Sequence, residues 1–539
     1  MNHVAAVHRS SSFSNKSRSL IARFVLLFFL CTSLLMGSGR LGSLDAGDQL
    51  QAAFYAVHHG QFGAVVPPGG MHEEIVGGKP MLVPVHFWWQ APNKLYYQTH
   101  DIGDITLFTP IAAVVSRVSK ATPEQQIEEP PLPAKLIISL VFSLFGGLTA
   151  FFIYLTLALF LRQRVALVLA AAFLPTTFLW PFCKTVWDVA PAAMFALLLL
   201  YFCARILTSE KEVRLSLVAG AGFAAAAASS FRLSFAVFLL FGFLLTLIRV
   251  RSFVRLRHYV VAAGTCFLGI IPSLVSNQVR MGAFWHPATI NPRYLSMGLT
   301  MNGDFFRGFF GLTTSLNHGL FAYCPIFLLL FALPFVWSRL SQAARYLSVI
   351  FILSSLLYLC TIAKIPIWSG YIGWGPRYLV PIVPLLYVPA SLATAALWDF
   401  TRQRTVIRAA LVALFLLTAI NNVPPALCNW PLAIAEDELA HDQYANGFYA
   451  QRAVWRSLSL GLQNKPISVR SSLQVSDRIL ENAKFPDLWL VRLWQKGGKT
   501  AFAGVLITAF LGGGAVFSLC RVLQIVETGE KNPTLQPTN

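Results

Sequence analysis

The sequence predicts an all-α, polytopic membrane protein, and three observations predict it. Of 539 residues, 56% are hydrophobic and only 12% are charged, against roughly 45–50% and roughly 25% in soluble domains. The apolar residues gather in runs near the length of about 20 residues that crosses a bilayer. The short basic clusters alternate with those runs in the order a multi-pass chain requires. Together these exclude an ordinary soluble enzyme, a disordered chain and a coiled coil. The net charge of +19, from 42 Lys and Arg against 23 Asp and Glu, would suggest nucleic acid on a soluble protein. At so low a charge density the membrane accounts for it first, and no nucleic-acid partner is expected.

About twelve spans are expected, near 20–37, 136–161, 165–181, 188–207, 215–231, 233–249, 259–276, 319–337, 346–363, 378–398, 405–422 and 502–523. A thirteenth apolar stretch, 105–118, is short and contains Pro110. It reads as a re-entrant or interfacial segment, with a thirteenth crossing left open. Arg9, Lys16, Arg18 and Arg23 precede the first span and put the N-terminus in the cytoplasm. Alternation then places Arg162/Arg164, Arg205/Lys211/Arg214, Arg249/Arg251/Arg255/Arg257, Arg339/Arg345, Arg402/Arg404/Arg408 and Arg521/Lys531 inside too. That agreement supports an even number of spans. The first span has the basic flank and apolar core of a secretory signal, but no clean small-x-small site follows Gly39, so it reads as an uncleaved anchor in the inner membrane.

The resulting organisation is a cytoplasmic segment 1–19, a membrane core 20–423 that includes outer loop 38–135, an outer segment 424–500, and a last span with its tail over 501–539. Residues 277–318 form a further outer segment. The inner loops are short, so chemistry belongs to the outer face or the membrane. The eight cysteines form no disulfide framework, and neither CxxC nor HExxH occurs.

The first outer loop opens Ser43-Leu44-Asp45-Ala46-Gly47-Asp48. Leu50, Ala53, Phe54 and Val57 follow at helical spacing, so an amphipathic helix starts there and lies along the interface. One of the two carboxylates can cap that helix; the other reading is a general base or a metal-binding carboxylate at headgroup depth. Further along, Asp101 and Asp104 can reach back as a second acidic group. Five of the eleven histidines (His58, His59, His72, His86, His100) lie in this loop, but no pair has standard zinc spacing. They read as solvated or locally bonded; no cofactor is assigned, and a divalent metal stays open.

Three isolated cations sit at outer span ends: Lys184 after Trp180-Pro181-Phe182-Cys183, Arg232 between two spans, and Arg377 after Trp374-Gly375-Pro376. Charges at that depth are costly unless paired. They either snorkel to headgroups or hold a phosphate, for which Arg offers a bidentate fork. Pro376 suits a first helical turn and would put Arg377 at a helix N-terminus. Tyr378 follows directly. Eleven of the thirteen tryptophans fall on the outer side. Part of this is the greater length of outer chain; flat rings with a polar edge also suit sugars, which makes Trp187 and Trp374 candidate sugar or acceptor contacts.

In these motifs the sequence resembles the GT-C class of integral-membrane glycosyltransferases, nearest to bacterial members of the protein mannosyltransferase and aminoarabinose-transferase group. The resemblance covers about residues 20–400. It rests on Ser-Leu-Asp45-Ala-Gly-Asp48, Asp101-Ile-Gly103 leading to Pro110, Trp180-Pro-Phe-Cys-Lys184, Gly311-Leu-Thr-Thr-Ser315 with Gly319-Leu-Phe-Ala-Tyr323-Cys-Pro325, and Trp374-Gly-Pro-Arg377-Tyr378-Leu-Val-Pro381, in that order. It implies an outward-facing enzyme that takes a hexosyl or pentosyl unit from a polyprenyl-phosphate carrier, with inversion, and gives it to a glycan, lipid or protein. It implies Asp45 as base, with Asp48 as alternate or partner and Asp101 as a further acid. It implies Lys184 and Arg377, with Tyr378, as lipid-phosphate contacts; Arg232 joins them on physical grounds only. Many members have Asp-Glu adjacent where this chain separates Asp45 from Asp48, and Ser315-Leu316-Asn317-His318 departs from an expected Ser-Pro. No Asp-x-Asp occurs. A transporter or flippase of lipid-linked glycans, or a glycan ligase, is the competing reading.

Overall fold

The apolar runs fold as helices. The computed structural model describes residues 15–68, 71–76, 79–84, 88–98, 100–210, 212–282, 284, 301–370, 373–438, 448–463, 465 and 485–531. Arg9, His86, Lys211 and Trp285, which the sequence reading used, lie outside the described residues. The elements that position the site are α1 (Asn15–Leu35), α2 (Leu44–His59), α3 (Ile102–Val118), α4 (Pro123–Glu128), α5 (Leu132–Leu157), α6 (Gln163–Phe173), α7 (Leu179–Lys184), α8 (Val189–Leu207), α9 (Leu215–Phe231), α10 (Ala236–Arg249) and α11 (Leu256–Met281). Then come α12 (Phe305–Thr314), α13 (Gln342–Ala363), α14 (Val383–Phe400), α15 (Thr405–Leu427), α16 (Trp430–Glu438), α17 (Tyr449–Leu462), α18 (Trp489–Gln495) and α19 (Gly498–Lys531).

Among the described residues, eight helices are long and apolar enough to cross a membrane: Lys16–Leu35, Pro123–Leu157, Val189–Leu207, Leu256–Arg280, Gln342–Ala363, Arg377–Phe400, Thr405–Leu427 and Gly498–Thr528. The protein is therefore a polytopic helical one. At four other expected spans stand shorter apolar helices, Gln163–Phe173, Leu215–Phe231, Leu233–Arg249 and Pro325–Arg339. A helix of 17 residues rises only about 26 Å, less than the roughly 30 Å hydrocarbon core. Prolines explain two of these. Pro175 follows the end of α6, and Pro325 and Pro334 divide the last segment into 3-10 and α turns. Large apolar side chains such as Leu416 and Phe510 stay exposed on α15 and α19, as lipid-facing surfaces do.

The centre of the bundle is α8. It packs on α5 and α9, while α9 packs on α11. The run of alanines in α9 allows both approaches, because small side chains let helix backbones come close. α1 packs against α5 and α19, joining the two ends of the chain.

The stretch 105–118 lies in α3, one helix through Pro110, with Ile105, Phe108, Ala112 and Val115 buried at a spacing of three or four. It packs on α2 and α5. The outer loop is not wholly helical. Two antiparallel hairpins interrupt it, β1 (Met71–Val76) with β2 (Lys79–Pro84) and β3 (Trp88–Gln90) with β4 (Tyr96–Gln98). The all-α expectation omits them. The second closes on Ala91–Lys94, where Lys94 N–H donates to Ala91 O, Ala91 N–H donates to Leu95 O, and Lys94 is left-handed. α15 runs past the boundary expected at 424 and continues to Leu427, with Pro424 and Pro425 in its last turns.

Candidate active site

Three arms of the chain bring the site together. The first is the loop before α2. The Val186 N–H donates to Leu41 O at 2.6 Å, and Ser43 Oγ donates to Val186 O at 2.9 Å while accepting from Ala46 N–H at 3.1 Å. Ser43 is thus both the N-cap of α2 and a tie to the chain after α7. Gly42 makes the crossing feasible: its φ is +73, and a Cβ there would lie 2.7 Å from Thr185 Cγ2. This ties the first turn of α2, which carries Asp45, to the chain that runs on into Trp187 and Asp188. It also settles the capping question, because Ser43 caps the helix and both aspartates are left for other contacts. Asp48 is buried one turn on, at 4% exposure.

The second arm is the segment entering α3. Asp101 Oδ2 accepts from Leu233 N–H at 3.1 Å. Gly103 lets α3 close on the end of α9, since a Cβ there would stand 2.7 Å from the Phe231 ring and 2.8 Å from Ser230 O. Arg280, at the end of α11, donates to Gln98 O at 2.8 Å and also to His100 O. Held in this way, His100 Nε2 lies 3.5 Å from Asp45 Oδ1.

The third arm is the turn Arg377–Ile382, which Pro376 precedes. It is a 3-10 turn leading into α14 and not the first turn of an α-helix, so the expected helix N-terminus at Arg377 is corrected. The Arg377 guanidinium carbon lies 5.1 Å from the Trp187 ring centroid and 5.3 Å from that of Tyr378. The Arg232 guanidinium carbon lies 5.4 Å from the centroid of the same Tyr378 ring, and Arg232 pairs with Asp188 at 3.1 Å. Trp187 in turn stacks on Trp430, 6.0 Å between centroids. Among the described residues, Arg377 has no carboxylate within ion-pair distance, and its buried Nε has no hydrogen-bond partner.

The charges act on one another. Burial raises the Asp45 carboxyl, but His100, Arg377 and Arg232 outweigh it and hold it at about 2. Burial opposes the His100 charge, yet Asp45, Asp188 and Asp48 push its imidazole up from the ordinary value. Burial raises Asp101 despite the Leu233 N–H. It raises Asp104 well above the carboxylate range, with Asp188 adding to the effect. Asp104 is 2% exposed. Asp45 is thus an ionised carboxylate in the field of an arginine with donors in hand, while burial pushes the Asp104 carboxyl in the opposite direction. Among the described residues no three His, Cys, Asp or Glu side chains form a group fit to hold a metal ion.

Two expected members are elsewhere. Lys184 is fully buried, 2.9 Å from Asp487, and donates to Cys428 O at 2.9 Å. Arg40 and Arg492 reach the same carboxylate. Lys184 therefore belongs to a structural ion cluster that ties α7 to the chain before α18, and the phosphate role assigned to it is corrected. Trp374 is also withdrawn as a sugar contact: it is fully buried, set edge-on to Tyr323 at 5.0 Å, and donates through Nε1 to Asn422 Oδ1 at 3.2 Å. An indole sealed in that way has no face for a sugar ring. His100, Asp188 and Arg280 were not singled out from sequence. His100 is one of five loop histidines, Asp188 falls at the start of the span expected over 188–207, and Arg280 falls in the outer segment expected over 277–318. Their only sequence signal was polarity at span ends. His58, bonded to Gln126 at 3.2 Å, fits the local reading given to the histidines as a group.

The sequence matches no protein-family profile and no curated protein. Among solved structures the chain is similar to ArnT from Cupriavidus metallidurans bound to undecaprenyl phosphate, at 14% identity and a TM-score of 0.44, covering 97% of this chain and 78% of that one. The apo state of the same protein gives 14% identity and a TM-score of 0.40, covering 96% and 77%. The archaeal oligosaccharyltransferase AglB from Archaeoglobus fulgidus, in complex with an inhibitory peptide and a dolichol-phosphate, gives 11% identity and a TM-score of 0.39, covering 88% of this chain and 60% of that one. A TM-score below 0.5 does not carry function across, so the function rests on the site's own chemistry.

Proposed function

We propose that this chain is a membrane glycosyltransferase that moves a sugar from a polyprenyl-phosphate carrier to an acceptor hydroxyl at the outer face of the membrane. The observation that carries this reading is the pairing of Arg377, walled by Trp187 and Tyr378 and without a carboxylate of its own, with the ionised Asp45. Arg377 suits a phosphate, which it can grip with a fork of donors. Arg232, across Tyr378, adds positive potential but is already paired with Asp188.

The reaction is a direct displacement. The acceptor oxygen forms the new bond to the anomeric carbon, the old carbon–oxygen bond breaks, and its electron pair leaves with the lipid phosphate. Arg377 neutralises the charge that develops on that phosphate. The acceptor proton goes to Asp45. A carboxylate held at about 2 is a weak base, so it takes the proton late, once bond formation has made the hydroxyl strongly acidic. One displacement inverts the anomeric centre. The sugar is a hexose or pentose, and the acceptor a glycan, lipid or protein. In this reading Asp48 and Asp101 support the carboxylate that does the work, and Trp187 serves as a wall for Arg377.

The test is reconstitution of the full chain with undecaprenyl-phosphate-linked hexoses and pentoses, reading release of undecaprenyl phosphate with anomeric configuration of the product. Turnover that falls about 10²–10⁴-fold in Asp45→Asn supports the reading, that being the usual worth of a general base. Movement of intact lipid-linked sugar across the bilayer without its cleavage would instead make the chain a flippase.

A further inference from the structure

We infer that His100 is a positioning residue for Asp45, and that Arg280 is the strut that holds it there. The inference rests on Asp45 being the base. An aspartate in the first turn of a helix has a short side chain free to turn about two bonds, and a proton acceptor must be held in one orientation to meet the acceptor hydroxyl. His100 Nε2 stands 3.5 Å from Asp45 Oδ1, with the two side chains 18% and 26% exposed. The pair is therefore sheltered but not sealed.

What makes this more than a chance contact is how His100 is held. It lies in the short stretch between β4 and α3, where no helix or strand fixes it. Arg280 is 4% exposed and reaches it from α11, 180 residues along the chain. Its guanidinium donates to Gln98 O, to His100 O and to Asn277 Oδ1. A buried guanidinium is costly unless its donors find acceptors; Nε also donates to Ser276 O at 3.4 Å on α11 itself, and the acceptors Gln98 O and His100 O are main-chain oxygens that flank or belong to His100. The clamp fixes the backbone from which the imidazole projects.

The groups facing the ring are Asp45 and Asp48 from α2, Asp188 at the start of α8 and Asp104 from α3, with Arg280 behind the main chain. The balance favours the imidazolium, consistent with the upward shift of His100. The sign follows: the His100–Asp45 attraction is complete below the unfolded value of about 6.5 and is lost as pH rises through the raised one. Asp45 stays charged throughout, so an alkaline decline in turnover belongs to His100.

Two measurements test this on the full chain in lipid nanodiscs. In the first, the 15N-histidine spectrum is titrated, with the His100 signal assigned by its loss in His100→Gln. Asp45→Asn should lower the His100 midpoint; an unchanged midpoint overturns the inference. In the second, undecaprenyl-phosphate-linked sugar is turned over across pH 5.5–9. His100→Gln should lower kcat by roughly 10²-fold, the cost of about 1 Å of misplacement, leave KM unchanged and remove the alkaline limb. Arg280→Met should lower kcat and retain that limb. A His100→Gln enzyme with normal kcat and an intact limb overturns the inference while leaving Asp45 as base. If the wild-type chain turns over none of the sugars, the glycosyltransferase reading fails, and the imidazole titration still separates a coupled Asp45–His100 pair from an uncoupled one.

Discussion

Arg377 lies over the ring of Trp187, its guanidinium carbon 5.1 Å from the centroid. The same guanidinium borders Tyr378, so two rings hold a cation that has no described carboxylate within ion-pair distance. A cation against aromatic faces keeps its charge and its donors directed outward. That is the arrangement an anion needs.

Removing the guanidinium should remove the anion site. Arg377→Ala is expected to weaken binding of undecaprenyl phosphate in nanodiscs by about tenfold to a hundredfold, since a hydrogen bond to a charged group is worth about 1.5–3 kcal/mol. Arg377→Lys should recover only part, because an ammonium has no planar fork. Equal affinity in the alanine variant, measured by titration, would remove Arg377 from the phosphate site.

Asp45 should titrate far below the working range. Its carboxyl is held at about 2 against about 3.9 in an unfolded chain. The stability it contributes is present above the unfolded value and is lost as pH falls through the lowered one. An acid limb of turnover centred near pH 4–5 would contradict this, and a pH–rate profile of the wild type checks it.

The cluster around Asp487 should govern stability. Lys184, Arg40 and Arg492 all attach to this one carboxylate, and breaking a buried ion pair from one side costs about 3–5 kcal/mol. Asp487→Asn is expected to lower the thermal midpoint markedly. Lys184 carries a second sign. Burial lowers its ammonium to about 8, so folding stability should rise as pH climbs from about 8 toward the unfolded value of about 10.4. Lys184→Met should lose that rise and, once folded, bind undecaprenyl phosphate as the wild type does. A selective loss of lipid-phosphate affinity in that variant would return Lys184 to the phosphate site.

Gly103 should tolerate no side chain. A Cβ would meet the Phe231 ring at 2.7 Å and Ser230 O at 2.8 Å. Gly103→Ala is expected to cost about 1–3 kcal/mol as overpacking does, and to loosen the Asp101 bond to Leu233 N–H. Denaturation of the purified variant measures the first, and hydrogen exchange at Leu233 the second.

Sequence alone determined the solvent of this chain. Hydrophobic runs of bilayer length must become helices, because lipid offers no partner to an open backbone, and eight of the expected spans stand at full length. The amphipathic helix behind Asp45 was legible for the same reason: Leu50, Ala53 and Phe54 repeat at helical spacing and are buried. Arg377, Tyr378 and Trp187 were legible as polar or aromatic residues where a membrane disfavours charge. Only the tertiary structure decided which cation was already paired. Lys184 and Arg377 look alike in sequence, but Asp487, some 300 residues from Lys184 and brought to it by the packing of α18, neutralises one and not the other. The same holds for His100, which takes its role from Asp45 and from an arginine on α11. Periodicity and composition are local along the chain, and ion pairs between distant segments are not.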